Sequence, residues 1–281
     1  MPGITQDAFS YCAELVRSSD RDRFVATLFA PGQCRAGLHA LYAFNLEVAR
    51  VRDLAREAMP GEIRLQWWRE VLQRQRGGEA SASPAALALL STIEAYRLPV
   101  NAFLTLIEAR RFDLYNEPML TIAQLEDYAI NTSSALFEMA AQVLGADAAA
   151  AARPAGIAYA LVGLLLALPK HTARRQLYLP LQLLESHGLG PEDVFAAHSS
   201  APLNAAAAEL CSVVRRHLDA AAEMLRSLPQ QALPAFLPIA LVRPMLDRLE
   251  RSGIFAPSAL SPWRRQWLMW RAARNFNRLA S

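Results

Sequence analysis

The stretch RAGLHALYAFNLEVARVRD, Arg35 to Asp53, decides the fold class. Its apolar residues Leu38, Leu41, Tyr42, Val48 and Val51 recur at the three- and four-residue spacing that lines one face of an α-helix. The same spacing runs through almost the whole chain, and sustained period-two alternation, the mark of a strand, is absent. An all-α chain is predicted. Pro and Gly divide it into about a dozen helices, at Pro31-Gly32, Pro60-Gly61, Gly77 to Pro84, Pro99, Pro118, Gly145, Pro154, Pro169, Gly188 to Pro191, Pro202, Pro229 to Pro238, Pro257 and Pro262.

With 53% hydrophobic and 20% charged residues, the 281-residue chain has ample material for a buried core, and one domain over 1–281 is expected. The net charge of +3, from 29 basic and 26 acidic residues, supplies no bulk attraction to nucleic acid. Cys12, Cys34 and Cys211 are odd in number and share no metal-ligand spacing, so reduced, buried thiols in a cytoplasmic setting are expected. Met1 to Ser10 shows no basic start followed by an apolar run, so no signal peptide is expected. The uncharged run Pro154 to Pro169 falls short of the roughly 20 residues of a spanning helix and is closed by proline at both ends, which reads as a buried core helix. Arg76 to Pro84 reads as a loop between helices, and the alanine run Ala146 to Ala152 as a second soft spot. There is no internal repeat and no Gly-rich phosphate loop.

Three stretches stand together in a recognisable order: Arg35 through Ala40-Leu41-Tyr42-Ala43-Phe44 to Asp53, Asp113-Leu114 with Tyr128, and Arg174-Arg175-Gln176-Leu177-Tyr178-Leu179-Pro180. They resemble the squalene/phytoene synthase family over nearly the whole chain. The resemblance implies the isoprenoid synthase fold, a helical bundle around a central apolar cavity, with the walls Leu161 to Leu168 retained. It also implies substrate-binding roles for Arg35, Tyr42, Phe44, Arg174, Arg175 and Tyr178.

Active members of that family join two prenyl diphosphates head to head and hold Mg²⁺ with two aspartate-rich motifs on facing helices. A diphosphate leaving group carries several negative charges, so Mg²⁺ must bridge its oxygens, and that hard ion requires carboxylate oxygens. In this chain the first motif's paired aspartates fall on Ala49 and Arg50, and only Asp53 survives. The Asn and Asp of the second motif fall on Gly163 and Ala167, and its Glu-Asp pair on Lys170 and His171. The second tyrosine of the family's central helix is Ile130, and Pro169 stands where glycine is usual, so the helix should end or kink there. No metal site and no cofactor are expected; Mg²⁺ enters only if the chain is an active synthase.

A narrower similarity, through Ala43-Phe44-Asn45-Leu46-Glu47-Val48-Ala49, Gly61 to Trp68 and Ala129 to Ser134, is to the family's non-catalytic branch, which includes mitochondrial complex I assembly factors. Each polar feature also has a plain structural reading. Asp53, beside Arg50, Arg52 and Arg56, reads as an ion-paired helix residue. Glu47 lies about 120° from Asp53 around a helix, so the two do not share a metal, and a local basic partner is expected for it. Arg174 and Arg175 either hold a phosphate or cover a helix end. Trp67-Trp68 reads as packing. The five histidines, His39, His171, His187, His198 and His217, form no metal pair.

The C-terminal helix carries Trp263, Trp267 and Trp270 on one face with Arg264, Arg265, Arg271, Arg274 and Arg278 around it. Docking of that aromatic face onto the domain is the first expectation, and peripheral contact with the inner face of a membrane the second. Three functions follow. The first is a non-catalytic protein that binds complex I subunits or assembly intermediates. The second is an active prenyl transferase acting on farnesyl or geranylgeranyl diphosphate. The third, from Arg50, Lys170, Arg174 and Arg175, is binding of an anionic lipid or prenyl phosphate in the pocket without turnover, the pocket otherwise being a place for a lipid or isoprenoid.

Overall fold

Four helices begin at a side-chain cap. Side-chain oxygens of Asp20, Ser83, Thr121 and Ser200 accept from the backbone N–H groups of Arg23, Ala86, Gln124 and Leu203, each three residues on. Each satisfies one of the donors a helix start leaves without an intrahelical partner. The computed structural model describes residues 2–55, 57–256 and 260–274, with side chains from residue 6; Arg56, Pro257 and Arg278 lie outside the described residues. Among the described residues there are eighteen α-helical stretches, several only four to six residues long, and no strand. The all-α expectation holds, and the larger count comes from short helices that composition does not reveal.

The chain divides into two compact units, each assembled from three segments. The first is Met1–Leu114, Ala135–Ala148 and Leu228–Phe236; the second is Tyr115–Ser134, Ala149–Ser227 and Leu237–Ser281. In the first, helices Pro2–Ser19, Gly32–Ala49 and Pro84–Tyr96 pack on one another, and Ala58–Leu72 packs on Val100–Arg111. Phe44 is fully buried at the centre, edge-on to Trp68 at 5.1 Å and to Phe103 at 5.3 Å between ring centroids. Such aromatic pairs add about 1 kcal/mol each to the burial of their area. Gly61 lies against Leu114, whose Cδ2 would be 2.5 Å from a Cβ at that position.

In the second unit the core is the pairing of Ala149–Leu166 with Ala201–Leu225. Ala149–Leu166 also crosses a π-helical turn, Ile130–Ser134, and at the crossing a Cβ on Gly156 would overlap the Cα and N of Ser134. The Ser134 hydroxyl donates to the Arg153 carbonyl at 2.8 Å.

Three expectations from breakers are corrected. Pro154 lies inside Ala149–Leu166 and does not open it, and the alanine run from Ala149 onward is its first turn. The carbonyl that Pro154 deprives of a donor belongs to Ala150, an exposed residue. The segment read as a loop forms a helix over Gly77–Ala82, with Arg76 bonded to both Glu70 and Glu79 around its start. By length and composition Ala149–Leu166 is apolar enough to cross a membrane, with mean hydropathy 1.6, yet 56% of it is buried inside the protein, as the core-helix reading expects. All three cysteines are free and buried, and burial pushes the Cys12 thiol up to about 12 and Cys211 to about 11. Thiols so shifted are poor nucleophiles.

Candidate functional site

The positions of the two aspartate-rich motifs fall on different units, and each half is built separately. In the first unit Gly32–Ala49 ends at Arg50, whose φ of −89° and ψ of 0° break the helix before a short one, Val51–Leu54. The break removes the continuous turn on which residues four apart would share a face. Arg50 is exposed and reaches the Ser19 hydroxyl at 3.1 Å, and Asp53 is exposed on the four-residue helix. Glu47 accepts from Arg64 at 2.8 Å and is only 21% exposed. This is the basic partner anticipated for it.

The isoprenoid-contact candidates of this unit have defined structural partners. Arg35 donates through Nε to the Ala30 carbonyl at 2.9 Å and through Nη2 to that of Leu28 at 2.8 Å, closing the turn before its helix. Tyr42 is buried beneath the Arg23 guanidinium, 5.6 Å from its ring centroid. Phe44 belongs to the aromatic core already described. Trp68 is 1% exposed and Trp67 lies edge-on to it, donating from Nε1 to Glu79 at 3.0 Å, which fits the packing reading.

In the second unit the helix breaks where Pro169 demands. Ala149–Leu166 stops, Ala167 caps a new helix, Leu168–Thr172, and Pro169 takes its first turn. Proline is tolerated there because no N–H is needed. Gly163 is exposed, and a Cβ on it would meet nothing within 4 Å. Lys170 is exposed, and His171 packs its ring against Tyr178 at 4.6 Å. Tyr178 is buried, lies 5.8 Å from the Tyr128 ring and accepts at its hydroxyl from Gln176 Nε2 at 2.8 Å. The Leu177–Pro180 segment is held by Met119, whose N–H donates to the Leu177 carbonyl at 3.2 Å and whose carbonyl accepts from Leu181 at 2.9 Å.

The two adjacent arginines separate in role. Arg175 pairs with Glu192 and lies over the Phe195 ring at 4.6 Å, so its guanidinium ties a left-handed turn (φ 53°) to Pro191–Phe195. Of the two readings offered for it, covering a helix end fits these contacts. Arg174 is half-buried. Sequence reasoning missed Gln176 and the π turn at Ile130–Ser134, a local widening that polar Thr132 and Ser133 at a buried site only faintly signal.

The donor set does not fit a Mg²⁺ diphosphate centre. Among the described residues no three His, Cys, Asp or Glu side chains come together as metal ligands. Of the seven motif positions only Asp53 bears a carboxylate, while Arg50 and Lys170 add positive charge. The histidines have other surroundings: His39 stacks on Phe24, and His187 and His217 meet Glu209 and Glu126 at 3.2 and 2.9 Å.

The expectation for the C-terminal helix is overturned. Pro262–Arg274 buries Leu268, Met269 and Ala272, whereas Trp263, Trp267 and Trp270 are 83%, 51% and 47% exposed. The aromatic stripe faces solvent.

With fold and site described, the class is settled: the chain belongs to the squalene/phytoene synthase family, whose model matches residues 16–271. It is 32% identical over 262 residues to complex I assembly factor 6 of Rattus norvegicus, covering 92% of this chain and 78% of that protein. Its fold is of the isoprenoid synthase type. It superposes on a dehydrosqualene synthase with a TM-score of 0.82 at 16% identity, covering 97% of each chain. The squalene synthase HpnC of Alicyclobacillus acidocaldarius gives 0.72 at 22% identity, covering 98% of this chain and 96% of that one.

Proposed function

We propose that this chain is a non-catalytic member of its family that works by binding, as an assembly factor for respiratory complex I. The observation that carries the reading is substitution at the ligand positions of a retained scaffold: Ala49, Arg50, Gly163, Ala167, Lys170 and His171 replace oxygen donors, and the nearby Glu47 is held by Arg64. Loss of the ions that would neutralise the leaving diphosphate removes the chemistry while leaving helix packing intact. The sequence relation to complex I assembly factor 6 supplies the process. Its partners are then complex I subunits or assembly intermediates, no cofactor is required, and the protein acts on the cytoplasmic side. Arg174 and Tyr178 remain candidates for contact with an anionic isoprenoid held without turnover.

The test pairs two measurements. Gene deletion should lower assembled complex I on native gels and leave hopanoids and carotenoids unchanged. Purified protein given farnesyl or geranylgeranyl diphosphate with Mg²⁺ should yield no C30 or C40 hydrocarbon; a metal-dependent product would establish the prenyl transferase reading instead.

A further inference from the structure

The Pro262–Arg274 helix has two apolar stripes on opposite sides. At about 100° per residue, Leu268, Met269 and Ala272 cluster on one side and Trp263, Trp267 and Trp270 about 180° from them. The first stripe is buried, at 7%, 0% and 2% exposure, and that docking alone accounts for the helix being held. The second stripe places three indole rings on consecutive turns in water, an exposed apolar surface that folding does not explain.

We propose that this outer stripe is a membrane contact, seating on the headgroup region of a bilayer rich in anionic phospholipid. Charge supports it. The Arg271 guanidinium lies over the Trp267 ring and that of Arg274 over Trp270, each at 4.8 Å, so cations and rings occupy the same level of the surface. Arg264 is exposed beside them, and from residue 251 to 281 the sequence has six arginines and no Asp or Glu. Indole combines an apolar body with one N–H donor and favours the depth where acyl chains meet headgroups, which is where lipid phosphates would meet these guanidiniums. The stripe is a straight convex ridge on one helix, a shape suited to a fluid planar surface. A folded acidic protein would need matching clefts for three separate rings. The proposal does not depend on the assembly role.

The full-length protein is sedimented with vesicles of phosphatidylcholine alone and of equal parts phosphatidylcholine and phosphatidylglycerol, at low and at high salt. Binding is expected to the anionic vesicles, weakening as salt screens the arginines. Replacing Arg264, Arg271 and Arg274 together by Gln should weaken it by about fivefold per residue, on the order of 100-fold in all. The Trp263→Ala, Trp267→Ala, Trp270→Ala variant should lose on the order of tenfold or more. Both variants alter exposed groups, so their melting temperatures should match the parent's. The proposal is overturned if the folded parent does not sediment with anionic vesicles, or if both variants bind as it does. It is equally overturned if the Trp variant loses a purified protein partner while the parent shows no lipid binding.

Discussion

Gly156 and Gly163 lie on one helix, two turns and about 20° apart, and their surroundings are opposite. A Cβ on Gly156 would run into the backbone of Ser134, whereas one on Gly163 would meet nothing within 4 Å. The first glycine exists because two backbones touch. The second stands where the family resemblance places a metal ligand, and a Cβ there would meet open space. Along a single helix, then, one glycine permits a close backbone crossing and the other borders open space. The first unit shows the same contrast between the enclosed Phe44 and the exposed Asp53.

The largest effect should come from closing the tight crossing. Gly156→Ala puts a methyl group against Cα and N atoms that cannot rotate away, so loss of more than about 3 kcal/mol is expected by urea denaturation. A loss under about 1 kcal/mol would mean that the crossing is not fixed and the contrast is false.

His39 tests the locked side of the first unit through pH. It stacks on Phe24, and its Nε2 is buried without a hydrogen-bond partner. Burial, with Arg35 nearby, lowers its pKa from 6.5 to about 4. The folded state keeps the ring neutral while the unfolded chain takes a proton below about 6.5. Stability should therefore be full above pH 6.5, fall as pH drops towards about 4 and level off below, by at most on the order of 3 kcal/mol. His39→Leu should remove this slope from a melting-temperature series; an unchanged slope would place the titrating group elsewhere.

Much of this was legible in the sequence, and the parts that were not share a cause. Three- and four-residue spacing gave the helices, the order of Arg35 to Asp53 and Arg174 to Pro180 gave the family, and Pro169 gave the break at Ala167. Breakers misled where their defect costs little: Pro154 removes a donor from the carbonyl of an exposed residue, Ala150, and Gly77-Gly78 are held in a helix by Arg76. The C-terminal helix was misread because periodicity finds apolar stripes without saying which is docked. The larger stripe was assigned to the core, and the structure buries Leu268, Met269 and Ala272 instead. Arg175 was undecided because its partner, Glu192, is seventeen residues away.

A smaller effect is expected at the acid paired with Arg64. Glu47→Gln breaks a partly exposed ion pair with Arg64, so a loss of about 1 kcal/mol should appear in chemical denaturation. The melting temperature of the parent should not respond to millimolar Mg²⁺, since Arg64 already occupies this carboxylate. A clear rise with Mg²⁺ would show that Glu47 is available to metal after all.

The smallest effect carries the sign that matters most. Gly163 lies inside the Ala149–Leu166 helix with a right-handed backbone, so its present cost is the freedom an unfolded glycine has and a folded one loses. Gly163→Ala restricts the unfolded chain and adds a methyl group to open space, so stability should rise by about 0.5–1 kcal/mol. Two Gly→Ala changes on one face of one helix should thus move stability in opposite directions, measured under the same conditions. If Gly163→Ala is destabilising, the space beside it is already required by something the packing of this unit does not supply, such as a bound ligand. The open position beside Gly163 would then be a working one.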